Sequence, residues 1–502
     1  MRLSSWKRSR SRSQTSDARV SVRSRRVGNR EAAQQFYSAG EQAAANNRNN
    51  SAGLTQAYAN FVAAAYADPT WGQAHYAVGN NAADLGMHDA AIAAYRRSLE
   101  CEHTPQNAAR VHCNIGWQLH IVGKTQEAFE HLSKSTDLDP TIPMAWCNLS
   151  MVHYTMNQTE TAVSCAMKAD ELMPDDPTMQ VNLAFALMHN QQFAEGLRYF
   201  EARFRYKLHQ YLSFPFTKWR GELNKVIFVA ADQGLGDTLS FSRFVEAAAV
   251  RSKYLHLCVQ PELMRLFTSA FSHLKNVNLM PLGTPFPAYD HWTTFVSLPT
   301  AMGLRTEDIV DQPHIDYDAR KLRGDWKVAD RKFHIGIAWS GSALNDINHH
   351  RSIDLKHFLD LYEVPGVQLY SLQKDAKKQD LYDTGASSTV RDLSGYISDV
   401  TDTLAIMKDL DLVISCESAV AHMAALADVD CWVPYSYCGL DFRIGPTGEK
   451  AIWTPKTTYF KQGDDQSWKP VFADMIEVLH ARLDQASIFE QRERNQLSGR
   501  SA

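Results

Sequence analysis

Residues 140–174, PTIPMAWCNLSMVHYTMNQTETAVSCAMKADELMP, decide the architecture of the first half of this 502-residue chain. Trp146, Leu149, Ala162, Ala169 and Pro174 fall where two antiparallel helices need a large anchor, a small residue at their crossing and a terminating proline. The spacing recurs, since Ala128, Ala162 and Gly196 stand 34 residues apart, as do Pro140 and Pro174. Weaker copies keep the register at Gly79, Ala91 and Tyr95, at Ile115, Gly116, Ala128 and Pro140, and at Leu183, Gly196 and Phe200. Ala57, Phe61 and Pro69 suggest one more upstream. Four to five helix-turn-helix units are predicted over residues 35–210, with a short insertion near Thr104–Gln106 stretching one spacing to 37 residues. Each unit buries its apolar face only on its neighbours, so this half is expected to be an α-solenoid.

A period of 34 is that of the tetratricopeptide repeat. Such an array offers a concave surface to an extended peptide or another protein and brings no catalytic groups, so it is expected either to recognise a partner or to stiffen what it stacks on.

After Trp219 the pattern changes to alternating strand and helix. Strands are predicted at Val226–Ala230, Tyr254–Val259 and Val277–Met280, with helices to about Val250 and from Pro261 to about Phe271. A second series begins at Phe333–Trp339, continues at Val367–Leu372 and resumes at Leu412–Ser415, with a helix through Ala427. Two Rossmann-like halves, 222–325 and 330–482, are expected, with a substrate cleft between them.

Three strand ends carry site-like residues. Gln233-Gly234-Leu235-Gly236-Asp237-Thr238 combines two glycines, which permit a tight turn and close approach of a ligand, with a carboxylate at a helix start, placed either to cap it or to face a cleft. Ser415-Cys416-Glu417-Ser418-Ala419-Val420-Ala421-His422 offers free N–H groups and a positive dipole end to a diphosphate, with Glu417 able to accept from ribose hydroxyls. Packing alone also accounts for His422, and helix capping alone for Ser418. Trp339-Ser340-Gly341-Ser342 gives small residues for a phosphate. Arg351, in His349-His350-Arg351-Ser352, and Lys374, in Ser371-Leu372-Gln373-Lys374, supply cations for charge on a leaving diphosphate. No carboxylate–histidine cluster calls for a metal.

The remaining composition is plain. A net charge of −4 and 22% charged residues demand neither nucleic acid nor membrane as partner. Cys101, Cys113, Cys147, Cys165, Cys258, Cys416, Cys431 and Cys438 form no C-x-x-C pair, and no apolar run of about 18 residues occurs, so a cytoplasmic protein with reduced thiols is expected. Residues 1–30 hold nine Arg and Lys7 against Asp17 alone, and are expected to be a disordered basic tail. Such a tail is the one segment suited to nucleic acid or anionic lipid. Residues 483–502 are expected to be a flexible tail.

The order Gln-Gly-Leu-Gly-Asp-Thr, Ile-Ala-Trp-Ser-Gly, Arg-Ser-Ile, Ser-Leu-Gln-Lys and Val-Ile-Ser-Cys-Glu-Ser-Ala-Val-Ala-His resembles bacterial tetratricopeptide-repeat glycosyltransferases. Their catalytic half is similar to lipopolysaccharide heptosyltransferases and, more remotely, to O-linked N-acetylglucosamine transferases. The resemblance covers residues 50–480 and implies a GT-B type double Rossmann-like fold. It further implies inverting, metal-independent transfer, without a cofactor, from a nucleotide-sugar to a protein, glycan or lipid hydroxyl selected by the repeats. By the same resemblance Asp237 is the general base, Gln233, Gly234, Gly236, Ser340, Gly341 and Lys374 belong to the substrate site, Arg351 meets the diphosphate, and Glu417, Ser418, Ala419 and His422 surround the nucleotide. Relatives usually carry Asp at the position of Glu417, and of a tryptophan-rich stretch only Asp441-Phe442-Arg443 and Phe460 remain between Tyr435 and Phe460. The competing expectation is a non-catalytic interaction scaffold with a degenerate transferase domain.

Overall fold

A computed structural model describes residues 29–46, 51–101, 103–205, 214, 216–311, 314–318, 326–328, 333–341, 351–437, 441–444 and 453–498. The chain forms two compact units, residues 1–102 and 103–502. In the first, α1 (Arg30–Asn46) and α2 (Ser51–Ala67) pair, as do α3 (Gly72–Asp84) and α4 (His88–Leu99). Residues 1–28 of the expected tail lie outside the described residues. Asn29 and Arg30, expected to be disordered, instead belong to the folded unit: the Asn29 side chain accepts from Ala32 N at 3.1 Å, and Arg30 pairs with the buried Asp68 at 2.5 Å.

The second unit opens with three more helix pairs, α5 (Pro105–Ile121) with α6 (Thr125–Leu138), α7 (Pro143–Thr155) with α8 (Thr159–Leu172), and α9 (Pro177–His189) with α10 (Phe193–Phe200). Small residues let the paired helices close. A Cβ added to Gly79 would lie 2.4 Å from the Tyr95 ring, and one on Gly116 would lie 2.5 Å from Leu132. Between the helices of successive pairs the chain reverses through a left-handed residue, Gly86 (φ +72°), Gly123 (+79°), Asn157 (+58°) and Gln191 (+63°). These turns keep the 34-residue interval after Gly123 and carry the insertion before it. The first unit thus holds two helix pairs and the second three, each with the repeat pattern of an α-solenoid.

Beyond the solenoid the second unit contains two parallel sheets. The first runs β3 (Val277–Pro281), β2 (Tyr254–Val259), β1 (Val226–Ala230), β4 (His291–Thr294). The second runs β10 (Thr457–Lys461), β9 (Cys431–Tyr435), β8 (Leu412–Ser415), β5 (Phe333–Ala338), β6 (Val367–Ser371), β7 (Val390–Asp392). Counted from its own first strand, the second sheet has the order 3-2-1-4-5-6 of doubly wound nucleotide-binding sheets, and the first has the 3-2-1-4 part of it. In such sheets the chain order reverses beside the first strand, and ligands lie outside the carboxyl ends there. The two reversal points are between β1 and β4 and between β5 and β8.

The helix expected after β1 as far as Val250 is instead interrupted. It runs as α11 (Leu235–Phe241), a short 3-10 turn Ser242–Phe244, and the helix Val245–Arg251. The Ser242 hydroxyl donates to Leu239 O at 2.7 Å, the back-bonding that bends helices at serine. The segment from residue 483, expected to be a flexible tail, continues the helix Trp468–Ser498; its first turns bury Val471, Phe472, Met475 and Leu479 under the second sheet.

One apolar cluster joins α9 and α10 to both sheets, with Met188, Phe193 and Leu197 beside Val229, Leu257, Val413 and Val433. Polar clamps reinforce it. Arg203, directly after α10, donates twice to Asp232 at the end of β1 (3.1 and 2.8 Å), with both side chains buried. Tyr437 Oη donates to Ile121 O at 2.7 Å, and Gln466 Nε2 to Val122 O at 2.6 Å, using carbonyls freed at the end of α5. Among the described residues no helix is long and apolar enough to cross a membrane.

Candidate functional site

The loop after β1 is shaped before it reaches the cleft. Asp232 turns inward to Arg203, and Gln260 Nε2 holds Gln233 O at 3.2 Å and Thr238 Oγ1 at 3.1 Å. Gly234 occupies the N-cap of α11, which leaves Asp237, in the first helical turn, free of capping duty. A Cβ on Gly234 would find only Asp237 Oδ2 at 3.8 Å, so this glycine faces open cleft. Gly236 lines the cleft and also packs against the second sheet's side: a Cβ there would sit 2.4 Å from His422 Cδ2. Its small size lets α11 touch the helix Ala419–Leu426 of the second sheet.

On the opposite side Ser418 caps that helix, accepting from Val420 N at 3.2 Å, and its hydroxyl also pairs with Ser415 Oγ at 2.9 Å. The loop after β5 is held by Gln373, which accepts from Trp339 N and Ser340 N (both 3.1 Å) and donates to Ser340 O at 2.9 Å and Asp375 at 2.8 Å. Ser340 is buried and bonded to Ser352 Oγ at 3.0 Å, so Gly341 is the loop residue that reaches the cleft. Lys374 is not brought there. Its ammonium donates to Ile397 O and Ser398 O, because the side chain leaves β6 toward the neighbouring loop.

Between the two loops stands a pair outside the expected site. Arg443 donates through Nε to Asp441 at 2.7 Å and through Nη1 to Ser240 Oγ at 3.1 Å, and approaches Asp237 Oδ1 at 3.4 Å. Burial would raise Asp441, but the Arg443 guanidinium, then His422, outweigh it and hold the carboxyl at about 2. Asp237 goes the other way. Desolvation raises its carboxyl, with Arg443 only partly compensating, although 32% of its side chain is open to the cleft. His422, bonded to Ser240 Oγ at 3.2 Å, is pushed down to about 3 by desolvation and then by Arg443, so its imidazole is neutral.

These groups line one cleft of about 530 Å³. Gln233, Gly234, Gly236 and Asp237 come from the first sheet, and Gly341, Arg351, Glu417, Ser418, Ala419 and His422 from the second, together with Asp441 and Arg443. A third wall comes from the solenoid: Met151 and Tyr154 on α7, Phe185 on α9, Leu197 and Phe200 on α10. Of the twelve expected site residues only Ser340 and Lys374 stand outside the lining; the loop 342–350 lies outside the described residues. Asp441, Arg443, Tyr154 and Gln373 were not expected. A carboxylate two residues before an arginine in Asp441-Phe442-Arg443 was the available signal for the first two, whereas nothing in α7 separates Tyr154 from a core residue.

The family described as tetratricopeptide repeat matches residues 72–101 and 145–176, which cover α3 with α4 and α7 with α8. The chain carries tetratricopeptide repeats. Similar solved structures include MamA of Desulfovibrio magneticus RS-1, 16% identical over 36% of this chain and 97% of its own, with a TM-score of 0.31. YrrB, described as a TPR protein with an unusual peptide-binding site, is 16% identical over 37% and 91%, with a TM-score of 0.29. PilF of Pseudomonas aeruginosa is 21% identical over 34% and 75%, with a TM-score of 0.30. No curated protein matches the chain significantly in sequence. The tetratricopeptide repeats support a role in protein interaction.

Proposed function

We propose that the two sheets form a GT-B type pair and that their cleft transfers a sugar from a nucleoside diphosphate to an acceptor hydroxyl, with inversion, the repeats selecting the acceptor. The observation that carries this is the placement of Asp237: a carboxylate raised by desolvation, at the reversal point of the first sheet, lining the same cleft as Arg351 and the start of the helix Ala419–Leu426 at the reversal point of the second. Asp237 takes the proton of the acceptor hydroxyl as its oxygen bonds to the anomeric carbon. The bond from that carbon to the diphosphate breaks on the opposite face, and its electron pair leaves with the diphosphate. Arg351 and the N–H groups of Ala419–Leu426 meet that developing charge, which in a cleft of low dielectric is worth several kcal/mol. Arg443, itself paired with Asp441 at 2.7 Å, orients Asp237 at 3.4 Å.

A second reading, a repeat-based scaffold with a degenerate transferase half, is favoured by the family match, which falls on the repeats alone. A thermal-shift screen of the purified chain against UDP, ADP, GDP and their sugar conjugates, with and without magnesium, separates the two. A ligand at a hundredfold its dissociation constant stabilises by about 2.7 kcal/mol. A shift with one diphosphate, equal with and without metal, supports transfer and names the donor's base. No shift with any sinks it in favour of the scaffold.

A further inference from the structure

Among the described residues two buried side-chain donors lining the cleft have no partner, the Tyr154 phenol and Nε of Arg351. Tyr154 is 7% exposed, and its ring lies against the His189 imidazole with centroids 4.0 Å apart. Burial raises the phenol well above its usual range, followed by the Asp441 and Glu417 carboxylates and Tyr435, with Arg351 acting in the opposite sense. Its hydroxyl therefore sits in the field of the second sheet's polar groups, although its backbone belongs to α7 of the repeats. A helix repeat that needed only an aromatic ring here would be better served by phenylalanine, which buries no unsatisfied hydroxyl. Two donors in one cleft, one of them cationic, suit an acceptor that carries negative charge and has no proton of its own to give. A phosphate oxygen accepts from both donors and brings the charge that matches Arg351, whereas a sugar hydroxyl accepts but brings no charge.

We propose that Tyr154 is a ligand-binding residue whose O–H, together with Arg351 Nε–H, donates to diphosphate oxygens of the nucleotide-linked substrate, so that the repeats supply part of the donor site. This rests on the transfer reaction proposed above. The test is calorimetric titration of the full-length chain and of Tyr154→Phe with inorganic pyrophosphate and with UDP, ADP and GDP. The substitution keeps the ring on His189 and removes only the hydroxyl. Affinity for the diphosphate that wild type binds is expected to fall about tenfold, the loss typical of one hydrogen bond. The melting temperature of the unliganded variant is expected to stay level or rise, which a purely structural tyrosine bonded within the fold would not allow. Binding by Tyr154→Phe within twofold of wild type overturns the assignment of Tyr154 and leaves the transfer reaction standing. Absence of binding by wild type to every one of these probes overturns both.

Discussion

Asp237 is the base in the proposed transfer, and its environment makes a pH prediction. Its carboxyl is raised by desolvation, so the acid limb of kcat/KM is expected above the range of an ordinary carboxylate, with activity lost as pH falls through that raised value. Its stability effect has the opposite sense: folding favours the protonated form, so its contribution is present below the ordinary value and lost as pH rises through the raised one. Asp237→Asn should lower turnover by at least a hundredfold while leaving nucleotide affinity within a few-fold, checked by steady-state kinetics beside calorimetry. Near-wild-type turnover would remove Asp237 as the base. The residue types at the strand ends were readable because glycine, a short acid and a helix start have few other uses together. Gly236 and Lys374 show where that stops: local spacing cannot tell a glycine that admits His422 from one that admits a ligand, nor which way a lysine leaves its strand.

At the scale of elements, α11 packs on the helix Ala419–Leu426 beside the cleft, and the fit of this junction is expected to set the cleft's width. Gly236→Ala must displace His422, whose Cδ2 would stand 2.4 Å from the new methyl. Overpacking of that kind costs about 1–3 kcal/mol. The expected result is lower stability in urea together with weaker nucleotide binding; unchanged binding would show that the junction does not set the width. Strands with long apolar runs, β1, β2 and β8, begin and end as their sequence predicts. The strands β4, His-Trp-Thr-Thr, and β7, Val-Arg-Asp, hold no apolar run that would mark them as strands. In β9, Pro434 sits in the run Cys431–Tyr435 and argues against an inner strand, yet lies near its end opposite Phe460.

Across the whole molecule, buried charge ties the repeats to the first sheet and neutral histidines set an acid limit. Arg203→Met leaves Asp232, 1% exposed, without its cation. Breaking a buried pair from one side costs about 3–5 kcal/mol, which urea unfolding of the variant should register; a loss below about 1 kcal/mol would mean the pair carries no such role. His189 and His314 are pushed down to about 4, and His422 to about 3, in each case chiefly by desolvation. Their folded values lie below the unfolded one near 6.5, so the stability they contribute is complete above 6.5 and is lost as pH falls toward 4. Each adds a slope of about 1.4 kcal/mol per pH unit across that window, and a flat stability profile from pH 6.5 to 4 would contradict it. The 34-residue period made the solenoid legible, while its contribution to the cleft wall was invisible, because a repeat signature records how helices pack on each other and not what else they touch.

That third wall has a practical consequence for anyone wishing to re-target this chain. Every repeat residue facing the cleft lies at or beyond Met151, while the chain's first compact unit ends at residue 102. Repeats exchanged upstream of that boundary would leave every residue of the cleft wall in place. A cassette exchanged from α7 onward would rewrite the cleft itself, so a chimera that keeps the cleft is cut before α7.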